Sequence, residues 1–179
     1  MLQIESKRTF ALSREERRVV LDTCNAAFGQ PFDILFDLLP PDGAHFLGHV
    51  DGRLVAHLVV TDRSMRFGEG RWLRAGYIDA VATLPDFRRR GYASELLRAA
   101  IEIGRRRYDL FALATSIPQL YSGCGFAKWR GRQFVENQDC AGVVATEEQG
   151  NLMVLPFGNA VPEDDTLPVV ANWRPGGGY

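Results

Sequence analysis

Cysteine is scarce in this chain: 179 residues hold only Cys24, Cys124 and Cys140, and no two of them form a CxxC pair. Three scattered cysteines exclude a disulfide framework and point to a reducing, cytoplasmic setting. Charge of one sign is lacking too. Lys and Arg number 21 against 22 Asp and Glu, a formal net charge of -1. That balance argues against a nucleic-acid binder, while leaving room for a local basic patch. No run approaches the roughly 20 apolar residues that span a bilayer. The opening MLQIESKRTF is too polar for a secretory signal, so neither membrane nor export is expected. There is no repeat and no low-complexity tract. The length suits one core, and residues 1–179 are expected to form a single domain.

Against these absences stand clear local signals. Ser13 followed by Glu16 is a capping box that opens a helix. Val20, Cys24 and Ala27 continue it at helical spacing, and Gly29 and Pro31 close it. A short second helix is expected within 31–43, stopped by Pro40–Pro41, with Ile34, Leu35 and Leu38 on one face and Asp33 and Asp37 on another. AHFLGHV (44–50) and LVAHLVVTDRSMRF (54–67) flank Asp51-Gly52, a strong hairpin signal. Gly68-Glu69-Gly70 turns into a third strand, RWLRAGYIDAVATL (71–84). After Pro85 the period changes to 3.6: Leu96, Leu97, Ala100, Ile101 and Gly104 form one stripe of a helix. A buried strand follows at 110–116, a short helix at 118–125 and a strand at FAKWR. Residues 136–150 read as loop and 152–156 as a last strand. The tail 158–179 is irregular, yet its Leu167, Val169, Val170 and Trp173 call for packing against the body. The pattern implies an α/β (or α+β) fold, a mixed sheet covered by helices.

The sharpest feature is RRRGYA, Arg88 to Ala93, where a strand hands over to the long helix. Gly91 and Ala93 keep bulk off the turn, so backbone N–H groups and the helix dipole can converge on an anion such as a pyrophosphate. Arg88, Arg89 and Arg90 add charge suited to phosphate oxygens. A solvated arginine cluster is the competing reading. Neither GxxxxGK[ST] nor GxGxxG is present, which argues against nucleotide hydrolysis and dinucleotide binding.

GYIDAVATLPDFRRRGYASELLRAAIE (76–102) resembles the central motif of the GCN5-related N-acetyltransferases, whose [R/Q]xxGx[G/A] is met by Arg88, Gly91 and Ala93. The resemblance implies a mixed central sheet with a splayed parallel strand pair, flanked by helices. It also implies acetyl-coenzyme A as cosubstrate, with the pyrophosphate at Arg88–Ala93, Tyr92 included, and the pantetheine arm along Val81, Ala82 and Thr83. AAFG (26–29), LYSGCGF (120–126), GNLMVLP (150–156) and NWRPGGGY (172–179) look like the aminoglycoside 2'-N-acetyltransferases in particular. That implies direct acetyl transfer to the 2'-amino group of an aminoglycoside, and hence antibiotic resistance. A non-catalytic acyl-coenzyme A sensor and an acetyltransferase for another small amine are the alternatives.

Such a transfer needs a neutral amine, a polarised thioester and a proton for the departing thiolate. The resemblance makes Tyr121 the general acid; a packed helix tyrosine is the plain alternative. Asp79 interrupts an apolar strand, and a buried carboxylate must be paired or shifted in pKa. The resemblance gives its position the role of base through water, usually filled by glutamate. A structural carboxylate remains the other reading.

A cationic aminosugar calls for carboxylates. The candidates are Asp33, Asp37, Glu147, Glu148 and the terminal carboxylate of Tyr179, with the extension 158–179 packing toward the acceptor site. Relatives carry an acid where this chain has Gly177. Fewer carboxylates suit an acceptor with fewer ammonium groups, such as kasugamycin, as well as they suit conventional 2'-amino aminoglycosides. His45, His49 and His57 lack a metal-ligand spacing, so no metal is expected. Cys124 needs no catalytic role in direct transfer. Trp129 and Trp173 read as core or pocket wall, and an exposed strand edge leaves room for a homodimer.

Overall fold

The computed structural model describes residues 1–32, 34–137, 142–146 and 149–174. The chain divides into two compact units, 1–61 with 78–102 and 62–77 with 103–179. Two long strands contribute residues to both.

The first unit begins with β1 (Gln3–Arg8), followed by α1 (Arg14–Phe28) and the single turn α2 (Leu35–Leu38). β2 (Ala44–Val50), β3 (Arg53–Phe67) and β4 (Leu73–Thr83) come next, then α3 (Tyr92–Gly104). The expected capping box is formed: Ser13 Oγ accepts from the Glu16 N–H at 3.1 Å, and Glu16 Oε2 accepts from the Ser13 N–H at 2.8 Å. Gly29 ends α1 in the left-handed conformation. Asp51 and Gly52 both have positive φ, as a tight hairpin turn requires, and Val50 faces Arg53. The polar β1 pairs antiparallel with β2, and β2 with β3. α1 buries Val20 and Cys24 in a cluster with Leu12, Leu35, Leu47, Leu54 and Ala82. The second helix departs from expectation. It is one turn long, and Ile34 is 62% exposed while Leu35 is buried.

In the second unit β5 (Leu110–Ala114) leads to α4 (Pro118–Ser122) and β6 (Ala127–Lys128). β7 (Gln133–Glu136), β8 (Val143–Ala145), β9 (Leu152–Pro156) and β10 (Val169–Ala171) follow. The strand order is β6-β9-β5-β4-β3-β10-β7-β8. β4/β5 and β10/β7 are parallel, while β5/β9, β6/β9, β10/β3 and β7/β8 are antiparallel. The sheet is therefore mixed. Two strands, β7 and β8, lie in stretches not expected to be strands, and part of the tail becomes β10. Trp129 is buried, as expected, and its indole N–H donates to the Leu167 carbonyl at 2.8 Å. Gly104 completes the apolar stripe of α3 because Phe111 fills the space beside it: a Cβ there would lie 2.2 Å from the ring.

Candidate functional site

β4 ends at Thr83, a 3-10 turn spans Pro85–Phe87, and Arg88 is extended. Arg89 (φ 61°) and Gly91 (φ 84°) then adopt left-handed conformations before α3 begins. A Cβ on Gly91 would meet nothing within 4 Å, so the space beside the turn is open. The Glu95 N–H closes the first helical bond on the Gly91 carbonyl at 3.0 Å. By helix geometry, the N–H groups of Tyr92, Ala93 and Ser94 have no intrahelical acceptor and can meet an anion.

The arginines beside the turn are held differently. Arg88 donates through Nε to the Thr83 carbonyl at 3.4 Å and through its terminal nitrogen to the Ala27 carbonyl. Arg90 donates to the Asp86 carbonyl at 3.1 Å and lies over the Phe87 ring. Arg89, Arg90, Gly91 and Arg88 are all exposed. Carbonyl acceptors leave the positive charge in place, and among the described residues none of the three arginines is ion-paired. Arg88 is thus exposed yet tied to backbone at two points.

On β4, Asp79 is half-buried, and the Thr61 hydroxyl donates to its Oδ2 at 3.4 Å. Ala80, next along, has φ 50°, a left-handed step that is unusual for a residue other than glycine. Val81 and Thr83 are half-buried, whereas Ala82 is in the core of the first unit. One unit thus holds Asp79, Val81–Thr83 and Arg88–Ala93 on a single strand–turn–helix run.

Tyr121 belongs to the second unit, on α4, and is 6% exposed. Burial pushes its phenol up to about 12, against the pull of a side-chain hydrogen bond with Thr115. The hydroxyl is therefore neutral at physiological pH and able to donate. Its ring meets Phe126 edge-on, with centroids 6.1 Å apart. Cys124 is half-buried.

Of the acceptor candidates, Asp37 is exposed on α2. Asp33, Glu147, Glu148 and Tyr179 lie outside the described residues, as do Cys140 and Gly177. Trp173 is half-buried. Asn172 Oδ1 accepts from the Ser64 N–H at 2.9 Å, and Arg63 donates to the Asn172 carbonyl at 2.5 Å. These residues line a cavity of about 250 Å³ together with Asp62, Arg74 and Tyr108. A larger cavity, about 470 Å³, is bounded by Lys128, Trp129, Val154, Val161 and Asp165, and none of the predicted site residues lines it.

Two histidines do more than the sequence conveys. His45 and His57 are fully buried and bonded to each other, Nδ1 to Nε2, at 2.9 Å. Desolvation drives His45 down to about 3, helped by His57 and Arg17, and His57 down to about 4 against a hydrogen bond to Ala80. Among the described residues no group of three or more potential metal ligands is assembled.

The acetyltransferase (GNAT) domain family matches residues 11–129. An aminoglycoside 2'-N-acetyltransferase of Mycolicibacterium fortuitum is 32% identical over 151 residues, covering 78% of this chain and 76% of that protein. Among solved structures, the GNAT family N-acetyltransferase YhbS of Escherichia coli, in complex with CoA, aligns with a TM-score of 0.66 at 13% identity. That match covers 94% of this chain and 88% of YhbS. Eis1 of Mycobacterium abscessus aligns at 0.60 with 19% identity over 73% of this chain, which spans only 32% of Eis1. At these identities the structures speak for the fold alone. The mixed sheet, its flanking helices and the family match define a GNAT fold, and the chain belongs to the GNAT acetyltransferase family. Within it, the chain is related to the aminoglycoside 2'-N-acetyltransferases.

Proposed function

We propose that the protein is an acetyl-coenzyme A-dependent N-acetyltransferase that acts on the 2'-amino group of an aminoglycoside, kasugamycin or a conventional 2'-amino compound. The observation that carries the coenzyme half is the open turn at Gly91, which feeds α3 directly from the strand bearing Asp79. The acceptor half is supported by the 32% identity to a protein of that activity. In the proposed reaction the neutral amine attacks the thioester carbonyl carbon, a C–N bond forms and the C–S bond breaks. The amine proton passes to Asp79, through water because the side chain is short. The departing thiolate takes a proton from Tyr121, whose phenol is neutral across the working range. Residues 1–179 serve as one catalytic domain, with Asp33, Asp37, Glu148 and the Tyr179 carboxylate as the acceptor's anionic partners. No metal takes part in this scheme.

The test is release of free thiol from acetyl-coenzyme A across a panel of aminoglycosides that includes kasugamycin and unrelated small amines. Amine-dependent release with a 2'-amino compound is expected. Tight coenzyme binding without release for any amine would favour an acyl-coenzyme A sensor.

A further inference from the structure

We propose that His45 and His57 are positioning residues, forming with Thr9 a directed hydrogen-bond chain that clamps the left-handed step of β4 at Ala80. The chain runs from Thr9 Oγ1 to His45 Nε2 (3.1 Å), from His45 Nδ1 to His57 Nε2 (2.9 Å), and from His57 Nδ1 to the Ala80 carbonyl (3.0 Å). Its direction follows from one end. A carbonyl oxygen can only accept, so His57 Nδ1 carries the hydrogen. The neutral ring then offers Nε2 as an acceptor, which obliges His45 to donate from Nδ1. His45 Nε2 is then left as an acceptor for the Thr9 hydroxyl, whose oxygen also lies 3.3 Å from the Gly43 carbonyl. Both rings are then the neutral Nδ1–H tautomer, because the fully buried pair is desolvated and burial disfavours an imidazolium at either position. The surroundings suit neutrality: His45, His57 and Thr9 are buried, and the Cys24 sulfur lies 3.8 Å from His57 Nδ1. The Arg17 charge also acts on His45, against its protonation.

The place of the clamp gives it a function. Ala80 pays for positive φ without the freedom of glycine, so something must hold it there. Fixing its carbonyl fixes the Ala80–Val81 peptide plane. On one side of that plane is Asp79, the proposed base; on the other are Val81–Thr83, the backbone proposed to pair with the pantetheine arm. The role therefore rests on the acetyltransferase reading, whereas the hydrogen-bond chain itself does not.

The experiment has two arms. In ¹⁵N-histidine NMR of the wild-type protein, both buried rings are expected as neutral Nδ1–H tautomers; an Nε2–H tautomer or an imidazolium for either ring overturns the chain. In kinetics, His57→Leu removes the donor but keeps a buried apolar side chain. It is expected to raise KM for acetyl-coenzyme A and lower kcat by about tenfold each. His57→Asn presents an amide N–H near the Nδ1 position and is expected to recover both to within roughly threefold. A folded His57→Leu enzyme with unchanged KM and kcat, or an Asn variant no better than Leu, overturns the positioning role. Should the Leu variant fail to fold, the Asn variant and the tautomers still decide it. Wild-type protein that shows the expected tautomers but releases no thiol would count against the acetyltransferase reading alone.

Discussion

The guanidinium of Arg88 bonds to the carbonyl of Ala27, 61 positions earlier in the last turn of α1. Its Nε reaches Thr83 at the end of β4, so one exposed side chain ties a helix end and a strand end to the start of the turn. Removing it should loosen the turn as well as subtract charge. Arg88→Ala is expected to weaken coenzyme binding by about tenfold at low salt, part of the loss persisting when salt screens the charge. Arg88→Lys should restore only the salt-sensitive part, because one ammonium cannot reproduce the planar fork. Calorimetry at two ionic strengths measures both; unchanged affinity for the Ala variant would contradict the tether.

Gly91 separates strain from charge. Space is open around its missing Cβ, so Gly91→Ala meets only the cost of φ 84°, about 1–2 kcal/mol. That variant should bind coenzyme with modest loss. Gly91→Asp adds a carboxylate where the pyrophosphate is proposed to come closest and is expected to abolish binding. Equal affinities for the two folded variants would remove the site.

Tyr121→Phe keeps the buried ring and its edge-on contact with Phe126 but deletes the phenolic proton. Turnover should fall by roughly 10²–10⁴-fold with coenzyme and acceptor binding preserved. Because the phenol sits near 12, no basic limb below about pH 11 should belong to it. Asp79→Asn is also expected to lower turnover, and the two losses need not multiply, since both groups serve one proton inventory. Near-normal turnover by the Phe variant would leave solvent as the thiolate's proton source.

Much of this was legible before the structure because the signals are local. Ser13 with Glu16, Asp51-Gly52 and the stripe of Leu96, Leu97 and Ala100 each fix an element within a few residues. Elements stabilised from a distance were not. β1 is polar along its length and is a strand only because β2 pairs with it. β10 was hidden in a proline-rich tail until its pairing with β3 and β7. The clamp on Ala80 escaped for the same reason. Alanine gives no hint of positive φ, and its partners lie on β2 and β3.

The histidine pair also sets a pH window for stability. His45 sits near 3 and His57 near 4 in the folded state, below the ordinary value of 6.5. Values depressed by folding mean that stability is full above about pH 6.5 and is lost as pH falls toward 4, because only the unfolded chain takes up the protons. The groups facing the pair are Thr9, Arg17 and Cys24, whose thiol burial holds near 12 and neutral. Each histidine contributes up to about 1.4 kcal/mol per pH unit within the window. Glu16, held near 2 by Lys7 and Ser13, acts in a separate window below its usual 4.5. Urea midpoints at pH 7 and pH 5 should differ for the wild type and differ by less for His57→Leu, which keeps only the contribution of His45. Identical wild-type midpoints would contradict the buried neutral pair.

The central claim is acetyl transfer from coenzyme A to a 2'-amine, and one coupled measurement reaches it most directly. Thiol release and acetylated aminoglycoside are followed in the same reaction, with NMR locating the new amide. The account predicts one thiol for each acceptor acetylated, with the amide on the 2' nitrogen. Thiol release that ignores the amine, or an amide on another nitrogen, would contradict it.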